Sequence, residues 1–141
     1  MKLPSEDFDD SRARRLYPPR DGIYRHWFCD YQPIVESFGD VLVQVDDNDY
    51  SGDTRVLLKS GGRFGFLNFG WGSCSGCDAL QSCNSYRAVE ELIQGLERDI
   101  KWFDNLQDAK DYIASPDRKS SYYWHESEWK SFVDQVLALE T

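Results

Sequence analysis

Cys74-x-x-Cys77 lies in a glycine- and serine-rich turn, Gly70-Trp71-Gly72-Ser73-Cys74-Ser75-Gly76-Cys77-Asp78, with Cys83 close behind. Three chemistries suit these residue types at this spacing. Two thiolates so placed form half of a tetrahedral zinc site. His26-x-x-Cys29 repeats the spacing, so Cys29, Cys74, Cys77 and His26 make a Cys3His ligand set, with Cys83 as a spare. A cysteine at a helix N-terminus is a stabilised thiolate, the starting point of thiol catalysis. Backbone N–H groups of Gly72, Ser73, Ser75 and Gly76 at such a terminus form a nest for a phosphate or carboxylate, on which Arg14 and Arg15 could close. A plainer reading stands beside all three: the glycines only permit a tight turn, and Cys29 and Cys83 are small buried hydrophobes. The expected cofactor is accordingly none, or a structural zinc.

Other constellations are less complete. Asp47-Asn48-Asp49-Tyr50-Ser51-Gly52 matches the opening of an EF-hand calcium loop, yet Leu58 stands where the bidentate Glu is required. A solvated hairpin loop accounts for it. The two histidines, His26 and His125, have no local partner that completes a hydrolytic set. The turn fits neither a Walker A motif nor a dinucleotide fingerprint, since the spacing differs and no lysine follows.

The elements that must hold the turn are legible on both sides. Val41–Val45, Arg55–Lys59 and Phe64–Phe69 read as strands, the last two joined by Ser60-Gly61-Gly62-Arg63. In the third strand Phe64 and Phe66 face one way, Gly65, Leu67 and Phe69 the other. Val89, Leu92, Ile93, Leu96 and Ile100 make one helical stripe, capped by Asn84 or Ser85. Lys101-Trp102-Phe103 and Tyr122-Tyr123-Trp124 read as short strands. Asp104 or Asn105 caps a helix carrying Leu106, Ala109 and Ile113. A last helix, from about Ser127, carries Trp129, Phe132, Val133, Val136 and Leu137. The expected fold is α+β: an antiparallel meander over about 41–69, the Cys-rich turn, and about three helices packed on the sheet. Residues 1–22, ending in Tyr17-Pro18-Pro19-Arg20-Asp21-Gly22, read as a flexible or loosely docked arm, and 23–141 as one α+β domain.

Composition narrows the function. The chain has 141 residues, enough for one domain with a core, and 15 % are aromatic. The net charge is −9, while Arg12, Arg14, Arg15, Arg20 and Arg25 cluster near the start, so the rest is more acidic than the whole. Such a body repels nucleic acid and attracts basic partners. No apolar run has membrane-spanning length and no secretory h-region is visible, so the expected location is cytoplasmic, without membrane contact or direct nucleic-acid binding.

Two likenesses bear on the turn. A strand, Trp71, Cys-x-x-Cys and a helix start resemble the active-site turn of thioredoxin-like proteins, with Pro116 at the distance of that family's cis-proline. Here, however, Trp71 stands two residues too early, the strands before it read as hairpins, and no buried strand follows Pro116. Gly70-Trp71-Gly72-Ser73-Cys74-Ser75-Gly76-Cys77-Asp78-Ala79-Leu80-Gln81, preceded by Asp49-Tyr50-Ser51-Gly52-Asp53, resembles a family of small phage and actinobacterial proteins with no assigned activity, over about residues 41–83. That resemblance carries over no catalytic residue. It implies a phage product, and small acidic phage proteins are similar to inhibitors of host defence. The expected function is therefore a non-enzymatic interaction protein that binds and inhibits a basic nucleic-acid-binding or defence protein of the host. The rivals are a nucleotide or small-ligand sponge using the Gly/Cys turn, and a cysteine-dependent thiol enzyme.

Overall fold

The computed structural model describes residues 8–18, 28, 30–47, 51–72, 78–115 and 126–140. Four strands form one antiparallel sheet in sequence order: β1 (Asp40–Asp46), β2 (Gly52–Ser60), β3 (Arg63–Trp71) and β4 (Lys101–Phe103). Ser60 pairs with Arg63 across the β2–β3 turn. Gly61 and Gly62 both take positive φ there, 58° and 82°, as the tight hairpin turn demands. The meander read from the sequence is thus present, and Lys101-Trp102-Phe103 extends it as the edge strand.

Helices cover both faces, because β2 and β3 are apolar on both. Val56, Leu58, Leu67 and Phe69 point to one side. They pack under α1 (Ser11–Leu16), α2 (Gln32–Ser37) and α3 (Tyr86–Asp99). Val43, Leu57 and Phe66 point to the other, under α4 (Leu106–Ile113) and α5 (Glu126–Leu137). Each fully buried aliphatic side chain contributes roughly 1.5–3 kcal/mol, so the two cores together hold the sheet. Two of the expected caps are in place: Ser85 Oγ accepts from the Ala88 N–H at 3.1 Å, and Asn105 Oδ1 from the Asp108 N–H at 2.8 Å. Lys110 is buried beneath the end of α5, where its Nζ donates to the Leu137 and Leu139 carbonyls.

Details depart from the helical stripes. Leu137 is 48 % exposed, because it stands about 100° around the helix from Val136, off the buried face set by Trp129, Phe132 and Val136. Ile100 stays buried but in extended backbone at the end of α3, where the chain turns into β4. Part of the stretch read as an arm is helical: α1 lies on α3, with Ala13 and Tyr17 buried. Arg12 reaches Glu90 and Glu97 of α3, and the Glu90 carboxylate also accepts the Ala13 N–H at 3.2 Å. Tyr122-Tyr123-Trp124 lies outside the described residues.

Candidate functional site

One end of the sheet opens into a concavity of about 290 Å³ on the α2 side. Its lining follows from strand alternation. Gln44 and Asp46 come from β1, Thr54 from β2, Phe69 and Trp71 from β3, and Asp30, Tyr31, Gln32 and Val35 from the start of α2. Asp46 pairs with Thr54, and Thr54 with Phe69, so these three stand side by side on one face. Gly72 and Asp78 close the far wall.

A hydrogen-bonded chain fixes this lining. The Trp71 Nε1–H donates to Thr54 Oγ1 at 3.0 Å, and the Thr54 hydroxyl donates to Asp46 Oδ1 at 2.6 Å. Gln44 Nε2 donates to Asp46 Oδ1 at 3.2 Å. Gln32 and Gln44 exchange amide hydrogen bonds at 3.0 and 2.7 Å, which ties α2 to β1. Tyr31 and Phe69 form the aromatic wall, with ring centroids 4.8 Å apart.

Asp78 organises the other side. It is 4 % exposed. Its Oδ2 accepts the Gly72 N–H at 2.8 Å, and its Oδ1 accepts the Tyr31 hydroxyl at 3.1 Å and the Gln81 N–H at 3.0 Å. The Tyr31 oxygen in turn accepts the Leu80 N–H at 3.1 Å. Burial, with the Asp78 charge adding to it, pushes the Tyr31 phenol well above its ordinary value, so Tyr31 is a fixed donor and not a proton carrier. These three donors to Asp78 are all neutral. Among the described residues, none of Asp30, Asp46 and Asp78 forms an ion pair, and no Lys, Arg or His lines the concavity.

Asp47 has a different assignment. Its Oδ1 accepts from Arg55 Nη1 at 2.8 Å with both side chains fully buried, and its Oδ2 accepts the Asp53 N–H at 2.7 Å. The carboxylate that opens the calcium-like motif is thus built into the β1–β2 junction. A Cβ at Gly52 would stand 2.6 Å from the Asp47 Cβ, so glycine is required there by close approach.

Of the residues singled out from sequence, Gly72 is in the site, but its N–H is bonded to a protein carboxylate. Arg14 pairs with Asp10 at 2.9 Å and lies over the Tyr86 ring, away from the concavity's lining. Arg15 lines an adjoining groove that shares Asp30 and Gln32 with the concavity. Cys83 is half-buried, its thiol donates to the Ala79 carbonyl at 3.3 Å, and burial first, then Asp78 and Glu91, pushes it up, away from a reactive thiolate. Ser73, Cys74, Ser75, Gly76, Cys77, Cys29 and His26 lie outside the described residues. Among the described residues no group of three or more His, Cys, Asp or Glu is placed to hold a metal ion, and no helix is long and apolar enough to cross a membrane.

Sequence reasoning missed Tyr31, Gln32, Gln44, Asp46 and Thr54. The available signal was the interruption of an apolar strand by Gln44 and the polar pair Asp46 and Thr54 at matching strand ends. The arrangement suits a cationic guest: Asp47 also lines the recess but is paired with Arg55, whereas Asp30, Asp46 and Asp78 receive only neutral donors among the described residues and carry negative potential into a recess with aromatic walls. Compared with family models, with curated proteins and with solved structures, the chain finds no match.

Proposed function

We propose that this chain is a non-enzymatic acidic interaction protein that docks on a basic partner. The observation that carries the reading is the concavity, which Asp30, Asp46 and Asp78 line from different elements and where, among the described residues, no basic side chain lines the wall. The net charge of −9 supports it at long range, by steering a cationic partner toward the surface and away from nucleic acid. The specific form we propose, inhibition of a basic nucleic-acid-binding or defence protein of a bacterial host in the cytoplasm, extends that reading by analogy with small acidic phage proteins. A phosphate guest at Gly72 is disfavoured, since the Asp78 carboxylate already takes that N–H and would repel a second anion.

The test is binding to a peptide of net charge about +8 at about 50 and 300 mM NaCl, beside a neutral peptide of equal length. Binding of the cationic peptide alone, weakening about tenfold or more between the two salts, is expected. Absence of binding at the lower salt, or affinity indifferent to salt, overturns the reading. Displacement of duplex DNA from a basic DNA-binding protein would then establish the inhibitory form.

A further inference from the structure

We propose that the concavity is a receptor for one arginine side chain of the partner, an inference that rests on the acidic-docking reading and deepens it. Three features select this guest. The recess holds about 290 Å³, which suits a side chain better than a folded surface. Among the described residues, Asp78 is a buried carboxylate with three donors, none of which neutralises it, and Asp46 receives only the Thr54 hydroxyl and the Gln44 amide. Burying such charge costs free energy that an incoming cation offsets. The walls are planar: Tyr31 and Phe69 on one side, and the Trp71 indole pinned by its bond to Thr54.

A guanidinium uses all of this, and an ammonium does not. It stacks on aromatic faces while its edge donates to carboxylate and amide oxygens, and it sheds water more readily than an ammonium. A divalent metal is the poorer guest, because no group of three potential ligands converges among the described residues.

The experiment titrates the full chain with three short blocked peptides that differ at one position: arginine, lysine or citrulline. Chemical shifts of the Trp71 indole N–H, assigned through Trp71→Phe, give site and affinity. The arginine peptide should bind about tenfold tighter than the lysine peptide, which is about 1.4 kcal/mol. The citrulline peptide should bind more weakly still, and Asp46→Asn should remove the preference for arginine. Asp30→Asn, which keeps the oxygen that accepts the Gln32 N–H at 2.9 Å, should weaken arginine binding severalfold without risk to the fold. Asp134→Asn on α5 should change nothing. Equal arginine and lysine affinities with an unmoved Trp71 resonance would overturn the receptor while leaving salt-sensitive acidic docking intact. No binding of any cationic peptide would overturn both.

Discussion

Replacing Arg12 by Met should destabilise the protein more than replacing its partner Glu90 by Gln. Glu90 is 3 % exposed and receives Arg12 Nε at 3.1 Å, Arg12 Nη2 at 2.6 Å and the Ala13 N–H at 3.2 Å. Arg12→Met leaves that carboxylate buried with the Ala13 N–H and a long Gln94 contact at 3.5 Å. Removing one partner of a buried pair costs about 3–5 kcal/mol. The Arg12 side chain is 25 % exposed, so solvent screens part of the interaction and the cost belongs at the lower end, about 3 kcal/mol or about 10 °C in Tm. Glu90→Gln keeps an acceptor for Ala13 and removes the buried charge. Arg12 is then still bonded to Glu97 at 3.2 Å and open to water, so the cost falls to about 1 kcal/mol.

Urea unfolding of the two single variants and the double variant measures this directly. In the double variant the introduced thioether faces a neutral amide, and about 1–2 kcal/mol of coupling should return. Hydrogen exchange over Ser11–Tyr17 should quicken in Arg12→Met before the rest of the chain responds, because α1 is held by this contact. The exposed pair Arg87–Glu91 is the control, worth about 0.3–0.5 kcal/mol. An Arg12→Met cost no larger than that of Arg87→Met, or a Glu90→Gln cost above that of Arg12→Met, would refute the reasoning.

Two further outcomes follow from the site's supports. Gly52→Ala should cost about 1–3 kcal/mol in urea unfolding, because its Cβ would press on Asp47 at 2.6 Å and strain the buried Arg55 pair; an unchanged midpoint would refute the close approach. Tyr31→Phe should cost about 1–2 kcal/mol at neutral pH, through loss of the bonds to Asp78 and Leu80. Its phenol is raised in the folded chain and ionises near pH 10 when unfolded, so the unfolded state releases the proton first. The stability it contributes is whole below about pH 10 and is lost as the pH rises beyond, and the Tm gap between wild type and Tyr31→Phe should narrow there. A gap that widens above about pH 10 would reverse the sign.

The sheet and the long helices were legible because their signals are local. β-branched runs, the Gly61-Gly62 turn, and caps at Ser85 and Asn105 each act over a few residues, and the structure keeps them. What stayed hidden depends on pairings far apart in sequence. Arg55 reads as the polar end of a strand, yet it is fully buried against Asp47. Glu90 reads as one of many exposed helical carboxylates, and only the docking of α1 buries it. Short helices such as α2 have too few turns for a periodic stripe, so Tyr31 and Gln32 gave no warning that they would wall a recess.

The concavity also turns on one irregularity that no periodic reading anticipates. Val41 pairs with Leu58, whereas Val43 pairs with Leu57, so Leu42 is an extra residue in β1. Val41 therefore packs with the α1–α3 core, while Leu42, Val43 and Val45 pack with the α4–α5 core. Strict alternation from Val41 would instead carry Val43 and Val45 to the α2 side, and Gln44 and Asp46 to the α5 side. The bulge reverses that phase. It places Gln44 opposite Gln32 and Asp46 beside Thr54, and these are the contacts that build the acidic wall. A one-residue insertion at a sheet edge thus decides whether the carboxylate of Asp46 meets an apolar core or a cavity, and the apolar residues Leu42 and Val43 fill the core it vacates.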